Sequence, residues 1–118
     1  MPLITVKSLS DPDETRILTK TKIEVVNFGK ATIMRVTFDP GWKWSDCIKP
    51  TVGTKSCEVP HINYIISGKL MIAMDDGTQK EIGPGDAAEI APGHDAWVVG
   101  NQPCVALDFS GGKMYGKQ

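Results

Sequence analysis

Cys57 and His61 are the residues of this sequence whose types and spacing point most directly to chemistry. The chain has three Cys and two His in 118 residues, and this pair lies four positions apart, just ahead of an apolar run that ends at Gly68. Thiolate and imidazole groups are common ligands of zinc, iron, nickel and copper. The pair therefore predicts a site for a divalent transition metal. The ordinary alternatives are a Cys that packs as a small apolar residue and a His that is hydrogen-bonded in the core.

A third ligand is required, because protein metal sites usually use three or four side chains. His94 is the other His of the chain and completes a predicted set with Cys57 and His61. The alternative for His94 is a surface turn residue bonded to Asp95 or to backbone. Residues four apart on a straight strand lie ~13 Å from each other, so Cys57 and His61 must flank a turn, which Pro60 favours.

Four further side chains are candidates for binding a small molecule beside the metal. Asn63 shares strand parity with His61 and is predicted to face the same cavity. Lys55 is a candidate partner for an anionic substrate, although a solvated loop Lys is the ordinary interpretation. Trp44 and Trp97 are candidates for lining a pocket mouth or a dimer interface, with plain core packing as the alternative.

Composition and charge restrict the classes of function. With 41% hydrophobic and 23% charged residues the sequence is typical of an ordinary globular protein. Its net charge of -1 gives no electrostatic footprint for nucleic acid or for an anionic membrane. We find no signal-like start and no apolar run near the ~20 residues that a membrane span needs, and the odd Cys count favours free thiols. These features predict a cytoplasmic location.

The elements that must position these residues are predicted to be short β-strands. Apolar residues recur with period two, and Gly, Pro, Asn and Asp interrupt them every several residues, which is typical of an all-β domain. A hairpin is predicted through residues 28–30, another at Ser67-Gly68 and a third at Asp76-Gly77. The predicted strands cover residues 23–27, 31–38, 62–67, 69–75, 78–82, 87–91, 96–99 and 104–109.

The whole chain, residues 1–118, is predicted to form a single domain, with a core over roughly 22–110. The tails at 1–15 and 111–118 are expected to be flexible or to contribute to a dimer. A loop of unusual length is predicted over 42–56, and loops of that length are often functional.

The order of turns and strands resembles the cupin superfamily. Residues 83–86, Gly-Pro-Gly-Asp before an apolar strand, and Gly93 match the second of the two motifs that mark this fold. The resemblance covers roughly 38–109. It implies a double-stranded β-helix, or jelly-roll, barrel and, as in relatives, a homodimer.

The resemblance also indicates which positions hold ligands, although their residue types differ. His61 falls on the Glu position of the first motif, and Cys57 and Lys55 fall on its two His positions. In the second motif the family His position is Ala96, and His94 lies two residues earlier. An alternative register would place Cys47 on the first His position.

The expected function is that of a small metal-binding cupin that acts on, or binds, a small polar or anionic molecule inside the barrel. Relatives with such sites include dioxygenases, isomerases and decarboxylases. The alternative is a non-catalytic module that binds or senses a small ligand without a metal.

Overall fold

The computed structural model describes residues 3–29 and 31–109. These residues contain nine β-strands and two single-turn helices, joined by turns and loops. The strands are β1 (Glu14–Leu18), β2 (Thr21–Asn27), β3 (Thr32–Phe38), β4 (His61–Ser67), β5 (Leu70–Met74), β6 (Gln79–Ile82), β7 (Ala87–Ile90), β8 (His94–Val98) and β9 (Cys104–Asp108). The helices are α1 (Trp44–Cys47) and α2 (Lys49–Val52), both between β3 and β4.

Two antiparallel sheets form the barrel. One has six strands in the order β1-β2-β3-β9-β4-β7, and the other has three in the order β6-β5-β8. Alternating residues of each strand point between the sheets, so that β3 buries Met34, Val36 and Phe38 while β5 buries Leu70 and Ile72. The chain is therefore an all-β jelly roll whose apolar core lies between the two sheets.

The eight predicted strands correspond to β2 to β9, with boundaries that differ by one or two residues. Their apolar alternation and their Gly and Pro turns are strong local signals. Strand β1 was not predicted, because only its alternate residues are half-buried and it lies at the edge of the large sheet. The two helices were also missed, since a single turn carries no helical periodicity. The predicted tail at 111–118 lies outside the described residues.

The predicted hairpin at Ser67-Gly68 is wrong. Strand β4 pairs with β7 and β9, whereas β5 pairs with β6 and β8, so the chain crosses from one sheet to the other at this turn. The local sequence specifies a turn, but the partners of each strand are fixed by burial of its apolar face against distant segments. The predicted hairpins between β2 and β3 and between β5 and β6 are confirmed.

Gly68 is the residue that permits this crossing. Its φ is 75°, and a Cβ placed on it would lie 2.3 Å from the carbonyl oxygen of Pro103. We expect Gly68→Ala to reduce the free energy of unfolding by ~1–3 kcal/mol through overpacking, in addition to the backbone strain. Gly77→Ala is the control, because Gly77 has a φ of 94° with open space around it. Equal losses in urea unfolding of the two variants would contradict the clash.

Among the described residues, none of the helices has the length and hydropathy needed to cross a membrane. The outer face of β4 carries a stripe of partly exposed apolar side chains, Ile62, Tyr64 and Ile66. Such stripes are common on association surfaces. The homodimer stays a prediction.

Candidate metal centre

Cys57, His61 and His94 come together at one end of the space between the sheets. Their ligand atoms all lie within 4.8 Å of one another, and all three residues are buried. His61 begins β4 of the large sheet and His94 begins β8 of the small sheet, whereas Cys57 lies in the segment before β4. The site therefore joins both sheets, and these three residues are the predicted ligand set.

The segment around Cys57 is held in place by backbone pairing with His94. The amide of Cys57 donates to the carbonyl of His94 at 2.7 Å, and the amides of Gly93 and His94 donate to the carbonyl of Cys57 at 2.8 and 3.3 Å. The Ser56 hydroxyl donates to the Asp75 carboxylate at 2.9 Å, which ties the same segment to the end of β5. Residues 58–60 then link Cys57 to the start of β4 and have neither strand nor turn assigned to them, so the predicted turn is not seen although Cys57 and His61 do approach each other.

His61 is oriented by a buried carboxylate. Its Nδ1 lies 2.5 Å from Oδ2 of Asp108, the last residue of β9. The pairing of Asn63 with Asp108 brings this carboxylate beside His61, two residues earlier on β4. Because a carboxylate accepts, Nδ1 carries the proton and donates, so Nε2 faces Cys57 Sγ at 3.6 Å.

His94 is oriented in the same way by the backbone. Its Nδ1 lies 2.9 Å from the carbonyl oxygen of Ala91. A carbonyl oxygen only accepts, so Nδ1 must donate, and Nε2 is the atom that remains for a ligand. The rings of His61 and His94 meet edge to face with centroids 5.4 Å apart. When neutral, both imidazoles therefore have a fixed tautomer, which is a feature of metal-binding His residues.

The electrostatics favour a thiolate beside an imidazolium in the metal-free protein. Burial raises the pKa of Cys57, but interactions with the imidazoles of His61 and His94 outweigh burial and lower the pKa to about 6. Burial likewise lowers the pKa of His61, whereas its hydrogen bonds to Asp108 and Cys57 raise the pKa to about 9. A thiolate is the form of Cys that binds metals and attacks electrophiles.

We therefore expect Cys57 in the metal-free protein to ionise as the pH rises through about 6, three units below an ordinary thiol at 9.0. Below that pH the thiol is protonated, and above it the thiolate absorbs in the ultraviolet. The measurement is the absorbance difference between wild type and Cys57→Ala across a pH titration. Burial raises the pKa of Cys104 to about 11, so that thiol does not ionise near pH 6 and does not contribute to the signal. A difference signal that appears only near pH 9 would contradict the arrangement.

A small cavity of about 30 Å³ adjoins the site. It has room for about two water molecules, so a small polar group of a substrate fits in it but a whole organic molecule does not. Trp42, Trp44 and Asn63 line this cavity together with His61 and His94. The indole Nε1–H of Trp42 is buried and has no hydrogen-bond partner in the described part of the chain.

The other candidates lie elsewhere. Lys55 is exposed, and neither it nor Trp97 lines the cavity. Trp97 has the opposite strand parity from His94 on β8, and its ring lies under the ammonium group of Lys43 at 5.3 Å. Cys47 is buried in α1 and is not a member of the Cys-His-His cluster. The structure thus brings together the three predicted ligands, Trp44 and Asn63, but not Lys55, Trp97 or Cys47.

Sequence reasoning missed Asp108. Strand β9 buries Cys104, Ala106 and Asp108 on one face, so the carboxylate continues an apolar alternation. A buried carboxylate requires a partner. An Asp at an inward position of an apolar strand was therefore the sequence feature that could have identified Asp108 as part of a site. Its partner, His61, lies 47 positions away and is identified only by the pairing of β4 with β9.

Comparison with solved structures confirms the fold. A protein of unknown function from Rhizobium leguminosarum has a TM-score of 0.66 at 16% identity and covers 92% of this chain and 97% of its own. The polyketide cyclase RemF from Streptomyces resistomycificus has a TM-score of 0.66 at 20% identity, with 92% and 79% covered. A cupin-like protein from Thermotoga maritima has a TM-score of 0.55 at 16% identity, with 79% and 69% covered.

The predicted cupin fold is therefore confirmed. No protein-family model matches the sequence, and no curated protein matches it.

Proposed function

We propose that this chain is a metal-binding cupin that acts on a small anionic molecule, with Cys57, His61 and His94 as the ligands of a divalent transition metal. One observation carries the proposal: three buried ligand atoms of types that transition metals prefer converge within 4.8 Å from separate segments. Hydrogen bonds to Asp108 and to the Ala91 carbonyl fix Nδ1 of the two imidazoles, so the two Nε2 atoms and the Cys57 sulfur are the atoms that face one another.

The donor set and its spacing fit zinc. Typical zinc bonds are about 2.3 Å to sulfur and about 2.0–2.1 Å to nitrogen, and two such bonds span the 3.6 Å between Cys57 Sγ and His61 Nε2 at an angle. One thiolate with two imidazoles is also compatible with iron, nickel or copper. Three protein ligands leave one position for water or substrate, as in catalytic zinc sites.

A metal bound here would supply Lewis acidity toward an oxygen atom of the substrate. The residues of the chain have separate tasks around it. Asp108 keeps the proton on Nδ1 of His61, and the Ala91 carbonyl keeps it on Nδ1 of His94, so both Nε2 atoms face inward. The unpaired indole N–H of Trp42 would donate to the substrate oxygen. The named relative RemF is a polyketide cyclase, and this supports an enzyme over a passive binder.

The test is elemental analysis of untagged protein, followed by calorimetric titration of metal-free protein with zinc, iron(II), nickel and copper. We expect about one equivalent bound. A wild-type protein that remains metal-free after reconstitution with each of the four would contradict the proposal and favour a metal-free binding module.

A second function is favoured by one specific observation. Cys57, His61 and Asp108 form a consecutive chain, with 3.6 Å between sulfur and Nε2 and 2.5 Å between Nδ1 and the carboxylate. This is the order of a nucleophile, a base and an orienting acid. The thiolate would attack an acyl carbon, the bond to the leaving alcohol would break as His61 supplies its proton, and water would release the acid.

The two functions differ in what they require of His94. Metal binding uses its Nε2 as a ligand, whereas in nucleophilic attack His94 contributes only to lowering the pKa of Cys57. In metal-free protein, mass spectrometry after addition of p-nitrophenyl acetate shows whether Cys57 becomes acetylated. If Cys57 is still acetylated in His94→Ala and the wild-type protein takes up no metal, the result favours the second function, in which Cys57 is a nucleophile.

A further inference from the structure

The cavity beside the ligands is too small for a substrate, but a larger groove lies directly outside it. The groove measures about 330 Å³, which falls within the usual range of about 300–1,000 Å³ for small-molecule sites. Ile72 and Ile90 line both spaces, the inner cavity and the groove. These two side chains therefore form the wall between the groove and the ligand cluster.

The topology explains why the barrel is open at this point. Strand β6 is the edge of the small sheet and pairs with β5, and β7 is the edge of the large sheet and pairs with β4. The two edges face each other across the groove, and residues of both strands line it. A gap between two sheet edges gives a direct path from solvent to the interior.

The inner face of this gap carries a cation. Lys80 lies opposite the buried Ile72 in the pairing of β5 with β6, so it is on the strand face that points between the sheets. None of the ion pairs found in the described residues includes Lys80. Glu89 also lines the groove, but it lies opposite the partly exposed Ile62 and so has the outward parity of β7.

The rest of the groove is mainly apolar. Ala88 and Ile90 lie opposite Asn63 and His61 in the pairing of β4 with β7, so they have the inward parity of the site itself. Met74 and Ile82 line the groove from the opposite sheet. An occupant must therefore have an apolar body in addition to a group that pairs with Lys80.

From this arrangement we propose that the groove between β6 and β7 binds the body of the substrate, a small carboxylate with an apolar part, and directs its reacting group past Ile72 and Ile90 to the ligand cluster. This inference rests on the proposed function, because it takes the Cys-His-His cluster as the destination. It assigns the anion-binding role to Lys80, which lines the groove, in place of Lys55, which does not.

The test uses two alkylating reagents as probes of access to Cys57 in metal-free protein. Iodoacetate is a small carboxylate, and iodoacetamide is its neutral counterpart. In both, the Cys57 thiolate displaces iodide and forms a thioether, which mass mapping distinguishes from reaction at Cys47 or Cys104. We expect Ala88→Phe, which fills the groove, to slow both reagents by about one decade or more. Ala87→Phe is the matched control, because Ala87 is exposed on the other face of β7.

The second arm measures charge. We expect Lys80→Gln to lower the ratio of iodoacetate to iodoacetamide rates by ~3- to 10-fold, the effect of one nearby charge, and Lys55→Gln to leave it unchanged. Lys80 is exposed, so this variant keeps the fold even if Ala88→Phe does not.

The inference would be overturned if a folded Ala88→Phe were alkylated at the wild-type rate, or if neither reagent reacted with Cys57 in the wild-type protein. It would also be overturned if the ratio of the two rates changed in Lys55→Gln instead of in Lys80→Gln. Lys80→Gln could also leave the ratio of iodoacetate to iodoacetamide rates unchanged and increase self-association. That result would overturn the inference as well, because it would show that Lys80 serves to protect the edge of the sheet from pairing with other chains. All measurements are made without metal, so a failure of metal binding is recorded separately and does not affect them.

Discussion

Wild-type protein is expected to bind about one equivalent of zinc, and Cys57→Ala combined with His61→Ala is expected to bind none. The double variant removes two of the three converging ligands and leaves His94 as a single imidazole, which does not hold a divalent ion in competition with water. Cys104→Ala is the matched control, because this thiol is fully buried on β9 and is not part of the cluster. Calorimetric titration of metal-free samples measures the stoichiometry.

The same prediction has a readout in stability. A metal that binds only the native state stabilises it by ~4 kcal/mol when free metal exceeds Kd about a thousandfold. For a domain of this size, that corresponds to a rise in Tm on the order of 10–15 °C. We expect this zinc-induced shift in wild type and in Cys104→Ala, and none in the double variant.

The comparison must use the zinc-induced shift and not the absolute Tm. His61→Ala leaves the buried carboxylate of Asp108 without its imidazole, and breaking a buried charged pair costs about 3–5 kcal/mol by itself. A drop in metal-free Tm is therefore expected even if no metal ever binds. Equal zinc-induced shifts in wild type and the double variant would refute the ligand assignment.

The strands of this fold were predictable because their signals are local. Period-two alternation marks β3, and the turn at Asp76-Gly77 marks the hairpin of β5 and β6, both of which the structure contains. What local signals do not carry is the choice of strand partners. The chain crosses between sheets at Gly68, and neither the alternation nor the turn residue distinguishes this crossing from a hairpin.

The site shows the same division. Cys57, His61 and His94 were predictable from residue type, because soft ligands are scarce in this sequence and two of them are close together. Asp108 and Lys80 owe their positions to register: Asp108 lies opposite Asn63 across the pairing of β4 with β9, and Lys80 lies opposite Ile72.

Lys55 was the natural sequence candidate for an anionic ligand, because it lies two positions before Cys57. In the structure both side chains are exposed, but only Lys80 is among the residues that line the groove. Proximity along the chain therefore does not identify the cation that lines the groove.

Asp108→Asn is expected to weaken zinc binding by about 10- to 100-fold while the fold persists. The Asn amide oxygen can still accept from Nδ1 of His61, so the ring keeps its orientation. What is lost is the negative charge, which makes Nε2 a more basic ligand through the 2.5 Å contact. Asp108→Ala removes both charge and acceptor, and we expect a larger loss than for Asn.

The pKa of His61 provides the second readout. The hydrogen bond to Asp108 is among the contacts that raise this pKa to about 9 in metal-free protein. Without the carboxylate charge the pKa is expected to fall, so His61 loses its proton at a lower pH, which a nuclear magnetic resonance titration of the ring detects. A purely structural Asp108 would lower Tm without moving either quantity. Unchanged zinc affinity and an unchanged His61 pKa in a folded Asp108→Asn would therefore show that Asp108 does not act through His61.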